Sequence, residues 1–199
     1  MCRACGSRAS ARNVSAEPLR RRAFLAGASA IALGLAIPIL RFPARAEEEY
    51  VLWLRRADTG EDTFERFSLD GKSVYNRGYY RLCAALRDNH VPPVRGDVYI
   101  SIRLIELLWA VQQVLLNEGV HEPIVVHSGY RTPETNAATE GAATNSLHMY
   151  GMAIDFDVPG VAIDELADLC WNCPGSGGVG SYAGGWVHLD TGERRFWTG

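Results

Sequence analysis

Two short stretches of this sequence carry residues able to hold a metal ion. In NSLHMYGMAIDFD, residues 145–157, His148 and Asp155 stand seven positions apart with Gly151 and Ala153 between them. In WVHLD, residues 186–190, the side chains of Trp186, His188 and Asp190 share one face if the segment is a strand. If the two segments lie side by side, His188 meets Asp155, and His148 comes in from just upstream. Two imidazole nitrogens and one carboxylate oxygen suit zinc, and three protein ligands leave a fourth position open for water. A metal there would acidify that water and polarise a carbonyl. A plainer reading stays open: a hydrogen-bonded histidine beside a strand, and an aspartate that caps a turn. The chain has no HExxH element, G-x-S-x-G elbow, Walker loop or dinucleotide fingerprint. GSGGVG is not clearly framed by a strand and a helix, which makes a phosphate loop a weak reading of it.

These residues need elements to position them. YVLWLRR and DTFERFSL, on either side of ADTGED, are rich in aromatic and β-branched residues and read as a hairpin. RGYYRLCAALRDN reads as a helix, and HVPPVRGD as the connection that follows. The clearest helix is ISIRLIELLWAVQQVLLNEG, where Leu104, Leu108, Val111 and Leu115 recur on one face and Gly119 offers a stop. EPIVVHSGY reads as a buried strand. RTPETNAATEGAATNS reads as a long polar loop, a feature that is usually functional or mobile in a compact domain. GMAIDFDV alternates, with Ala153, Asp155 and Asp157 on one side and Met152, Ile154, Phe156 and Val158 on the other. A short helix, VAIDELADLCWNC, and the glycine-rich PGSGGVGSYAGG then lead to WVHLD as the final strand. This order predicts a small single α+β domain with a central antiparallel sheet and helices packed on one side.

Residues 1–46 read as an address. An arginine cluster precedes an uncharged run from Ala23 to Leu40, and Ala44-Arg45-Ala46 supplies a small-residue cleavage site. Arg21-Arg22-Ala23-Phe24-Leu25 matches a twin-arginine export signal, so the twin-arginine translocase is an expected partner during export. The competing reading is an uncleaved membrane anchor, since such a run could just span a bilayer; Gly27, Gly34 and Pro38 dilute it. Cleavage would leave a domain of residues 47–199. The leader holds eight arginines and one glutamate, so 12 of the 20 basic and 22 of the 23 acidic residues remain, a net charge of −10. That balance argues against nucleic acid or an anionic membrane surface as the main partner. Cys83, Cys170 and Cys173 also remain, and outside the cytoplasm two of them could pair. CWNC closes a helix, where the dipole opposes a thiolate. A structural Cys170–Cys173 disulfide or two quiet thiols is therefore favoured over redox chemistry.

SGYRTPETN, NSLHMYGMAIDFDVPG, GGVGSY and WVHLDTGERRFW, in that order, resemble the YcbK-like branch of the zinc D-Ala-D-Ala carboxypeptidase and murein endopeptidase family. The motif S-x-H-x-x-G-x-A-x-D is matched in full by Ser146, His148, Gly151, Ala153 and Asp155, and the likeness extends to ADTGED and ALRDN. The resemblance implies a hedgehog/DD-peptidase fold and zinc held by His148, Asp155 and His188. It also implies periplasmic hydrolysis of peptidoglycan stem peptides or their cross-links, with Arg131 steadying a substrate carbonyl or carboxylate. A guanidinium offers planar, charge-assisted donors for that task; a loop ion pair to Glu134 is its plainer role. Ser146 and Tyr182 are further candidates for substrate contact.

The resemblance fails at the general base. Many relatives carry Glu or Asp two or three residues before the last zinc histidine, where this chain has Trp186 and Gly185. Asp190 is the first candidate for a catalytic proton acceptor, and support of a ligand histidine is its rival role. Asp157, His127 and Tyr182 follow. LCWNCPGSGGVG departs too, since relatives run a shorter, cysteine-free helix end into the GGVG turn. Two functions compete: a zinc peptidase opening cross-links, and a zinc-stabilised wall-binding protein without hydrolytic activity.

Overall fold

The computed structural model describes residues 50–92 and 99–199, so the export-signal reading of residues 1–46 lies outside the described residues. The expected hairpin is present: β1 (Tyr50–Arg56) and β2 (Asp62–Ser68) pair antiparallel. Next come helices α1 (Asn76–Ala85) and α2 (Ile102–Asn117), then strand β3 (Ile124–Ser128). After β3 the chain forms helix α3 (Pro133–Ala138), a one-turn 3-10 helix (Leu147–Tyr150) and strand β4 (Ala153–Asp157). Helix α4 (Ile163–Asn172) and strands β5 (Gly178–Tyr182), β6 (Trp186–Asp190) and β7 (Arg195–Thr198) complete it.

The seven strands form one sheet in the order β2-β1-β3-β4-β6-β5-β7. Most pairs are antiparallel, as expected, but β1 with β3 and β5 with β7 run parallel. Three features of the sequence reading need correcting. WVHLD is not the last strand, because β7 follows it. The glycine-rich segment contributes β5. The polar loop after Arg131 contains α3, whose start was written in the chain: Thr132 accepts a hydrogen bond from the Thr135 N–H and Pro133 occupies the first turn.

One face of the sheet is apolar. Leu52, Leu54, Ile124, Val126, Ile154, Phe156, Val179, Val187 and Leu189 join one core with Leu82 of α1, Leu166 and Ala167 of α4, and the α2 stripe. That stripe is the expected one, with Leu104, Leu108, Val111 and Leu115 all buried. Gly119 ends α2 as anticipated, at φ 86°, with the Gly119 and Val120 N–H groups donating to the carbonyls of Leu116 and Leu115. The side chains that alternate with the core residues, Asp155, His188 and Asp190 among them, occupy the opposite face.

Gly78 shows how tightly α1 lies on the hairpin. A Cβ there would stand 1.8 Å from the backbone carbonyl oxygen of Arg66, which cannot rotate away. In an open helix Gly→Ala gains up to about 1 kcal/mol. Here Gly78→Ala is expected instead to cost about 1–3 kcal/mol through overpacking, read as a lower midpoint in urea.

Candidate metal centre

Pairing of β4 with β6 places Asp155 directly opposite His188, and both face the polar side of the sheet. His148 arrives from the 3-10 turn, and the motif around it explains how. The Ser146 side chain caps that turn by accepting from the His148 N–H at 3.4 Å. Gly151 ends it at φ 63°, where a Cβ would come within 2.5 Å of the Tyr99 carbonyl oxygen. Ala153 is fully buried and pairs with Asp190.

The three donor atoms form a tight triangle. His188 Nδ1 lies 2.8 Å from Asp155 Oδ1 and 3.2 Å from His148 Nε2, and His148 Nε2 lies 3.3 Å from Asp155 Oδ1. Partners behind the rings decide which nitrogens carry protons. His148 Nδ1 meets the Gly129 carbonyl at 2.6 Å, and a carbonyl only accepts, so Nδ1 holds the hydrogen and Nε2 a lone pair. His188 Nε2 meets Asp190 Oδ2 at 3.1 Å and donates to it, which turns the Nδ1 lone pair towards Asp155. Two lone pairs and a carboxylate oxygen thus converge on one point and call for a cation between them. Four tetrahedral donors at about 2.0–2.1 Å from zinc would stand about 3.3 Å apart. This triangle fits.

The charges agree with that geometry. Burial works against the ionised Asp155, but hydrogen bonds with His148 and His188 outweigh it and hold the carboxyl well below its usual range. For His188, burial disfavours the cation, yet Asp155 and Asp190 together raise its pKa. Both shifts favour positive charge at the centre of the triangle, which a proton on His188 Nδ1 supplies in the absence of a cation and which a bound metal ion would replace.

Asp190 is fully buried. Its Oδ1 accepts from the Gly178 and Gly192 N–H groups at 2.8 Å each, and its Oδ2 accepts from Arg195 at 2.6 Å as well as from His188. Burial raises its pKa, and His188 with the two amides outweighs burial, so the net shift is downward. Arg131 donates to Asp155 Oδ2 and, at 2.7 Å, to Ser128 Oγ; its ion pair is with Asp155 rather than Glu134. His127 and Asp157 pair at 2.6 Å one row along the sheet, beside Trp186. Tyr182 stacks on Trp186 with ring centroids 5.6 Å apart. Cys170 and Cys173 are free, buried thiols, so no disulfide joins them. Burial pushes both pKa values up, which opposes a reactive thiolate.

Above the triangle opens a cleft of ≈ 540 Å³ that brings together Arg131, Ser146, His148, Asp155, Tyr182 and His188. It also exposes three residues that motif reading passed over. Glu140 lies on the rim between α3 and the 3-10 turn, and Arg195 and Trp197 of β7 line the far side. Alternation in RFWT was the available signal for the last two, since i and i+2 share a face.

Two imidazoles and a carboxylate converging on the floor of an open cleft define a centre of the metallohydrolase class. The family model described as peptidoglycan L,D-endopeptidase MepK, within the M15 metallopeptidases, matches residues 44–197, and the chain belongs to this family. It is 32% identical to the peptidoglycan L,D-endopeptidase MepK of Escherichia coli K12 over 176 residues, which covers 84% of this chain and 91% of that protein. The MepK of Shigella flexneri gives the same identity and coverage. The probable peptidoglycan L,D-endopeptidase MepK of Haemophilus influenzae is also 32% identical, over 75% of this chain and 79% of its own length. The peptidase resemblance carried by the sequence motifs therefore holds at the level of the family.

Proposed function

We propose that this chain is a zinc-dependent L,D-endopeptidase that opens peptide cross-links in peptidoglycan, with His148, Asp155 and His188 as the metal ligands. The observation that carries the reading is the triangle of acceptor atoms 2.8–3.3 Å apart, whose histidine tautomers are set from behind. Zinc bound there supplies a Lewis acid for the scissile carbonyl and activates the attacking water. Arg131, on the cleft wall beside Asp155, presents its remaining donors to the carbonyl oxygen as negative charge develops on it. Ser146 shapes the turn that carries His148, and the Tyr182–Trp186 stack forms an apolar bank for the stem peptide.

Asp190 acts as a positioning residue for His188 rather than as the general base, because both of its oxygens are already engaged and it has no exposure to the cleft. Among the described lining residues the carboxylates are Asp155 and Glu140. Asp155 is committed to the histidines and Arg131, so we assign proton transfer between water and the leaving amine to Glu140, the remaining carboxylate of the cleft. The residues 1–46 support export through the twin-arginine pathway to the periplasm, where peptidoglycan is found.

The test is a digest of purified cross-linked muropeptide dimers by the zinc-loaded full-length protein, resolved by chromatography and mass spectrometry. Conversion to monomers, blocked by a chelator, is the expected result, and fragment masses identify the bond. Dimers left intact by a protein that demonstrably holds zinc would favour the wall-binding alternative.

A further inference from the structure

Strand β5 separates β6 from β7, yet side chains of β7 touch those of β6. Gly180 pairs with His188 on one side and with Trp197 on the other. Gly178 pairs with Arg195, and its N–H donates to Asp190 Oδ1 at 2.8 Å. Neither glycine has a positive φ, so backbone conformation does not demand them. Space does. A Cβ on Gly180 would fall 2.5 Å from the Trp197 indole, and one on Gly178 would fall 2.4 Å from Asp190 Oδ2 and 2.7 Å from the Arg195 guanidinium carbon.

Across this glycine floor two side chains reach the histidine. The Trp197 indole lies against the His188 ring with centroids 5.2 Å apart, and its Nε1–H donates to the Tyr182 hydroxyl at 3.0 Å. Arg195 donates to Asp190 Oδ2 at 2.6 Å, and Asp190 accepts from His188 Nε2. The guanidinium sits 5.2 Å from the Trp197 ring centroid, so the two β7 residues also brace each other.

We infer that β7 is a positioning strand for the metal centre: Arg195, through Asp190, and Trp197, by direct contact, hold the His188 ring with Nδ1 facing His148 and Asp155. The inference rests on the zinc reading and extends it to residues that never touch the ion. Arg195 anchors the Asp190 carboxylate, and Asp190 in turn keeps the proton on Nε2. Trp197 removes the freedom of the imidazole to swing about its Cβ–Cγ bond. Partners of this kind behind a ligand histidine typically account for about 10–100-fold in metal affinity.

The experiment measures zinc affinity of the full-length protein by competition with a chromophoric chelator. Cobalt(II) absorption reports ligand geometry, and the melting temperature of the metal-free protein reports folding. Arg195→Ala and Trp197→Ala are each expected to weaken zinc binding by about 10–100-fold and to alter the cobalt spectrum. Arg195→Lys keeps the charge without the fork and should fall between wild type and Arg195→Ala. Trp197→Phe keeps the ring wall and should retain near-wild-type affinity. These two conservative variants keep the test decisive even if an alanine variant fails to fold. Asp190→Asn places an amide donor against Nε2, drives the proton to Nδ1, and should weaken zinc binding most of the three positions. A purely structural β7 would lower the melting temperature of the metal-free protein while zinc affinity and cobalt spectra stayed at wild type, and that result overturns the inference. A wild-type protein that takes up no zinc refutes the metal reading itself, and the inference with it.

Discussion

His148→Ala is expected to abolish peptidase turnover and remove stoichiometric zinc from the purified protein. Binding at a zinc site is worth on the order of 10 kcal/mol or more. Shared over three ligands, that is about 3 kcal/mol each, which is more than a hundredfold in affinity. The fold should survive the change. His148 contributes no apolar surface to the core, and without it Asp155 keeps its hydrogen bond with His188 and its ion pair with Arg131. Thermal melting with and without zinc checks this directly. Zinc should raise the melting temperature of the wild type, because a ligand that binds only the native state stabilises it, and should leave that of His148→Ala unmoved. Equal stabilisation of both proteins would place the metal elsewhere.

Glu140→Gln is expected to lower kcat by about 10²–10⁴-fold, the usual contribution of a positioned proton acceptor, with zinc content and affinity for an intact muropeptide dimer retained. This pattern is the opposite of His148→Ala, which loses metal and turnover together. Gln keeps the size and polarity of Glu but cannot take a proton. The prediction follows from elimination along the cleft: Trp186 and Gly185 stand where relatives place an acid, and Asp190 is spoken for by four donors. If kcat is unchanged, the proton goes to another group, and the paired His127 and Asp157 beside Trp186 become the next to mutate.

How much of this was legible in the chain varies with the range of the interaction. The hairpin β1–β2 and helix α2 were readable because their signals are local: alternation around a tight turn, an apolar stripe, and a glycine stop. Helix α3 was missed although Thr132 and Pro133 announce its start, because a six-residue polar helix has no apolar face to show periodicity. Strands β5 and β7 were missed for a different reason. GVGSY has glycine at two of its five positions, which blanks the alternation, and RFWT is only four residues long; each is a strand because of what it pairs with.

The donor residues and their motif could be named from sequence, since Ser146, His148 and Asp155 belong to one short segment and His188 to a second. The sequence by itself thus determined the candidate ligands, the family, and the apolar pattern that closes one face of the sheet. Only the tertiary structure decided what those side chains do. The Gly129 carbonyl that sets the His148 tautomer is 19 residues away, and Asp155 and His188 are 33 apart. Only in the tertiary structure does Asp190 prove fully buried, with two backbone amides, Arg195 and His188 occupying both of its oxygens. Lone-pair direction, ring orientation and the room left by Gly178 and Gly180 depend on which strands lie side by side. Strand order is settled by burial of the whole apolar face rather than by any local run of residues.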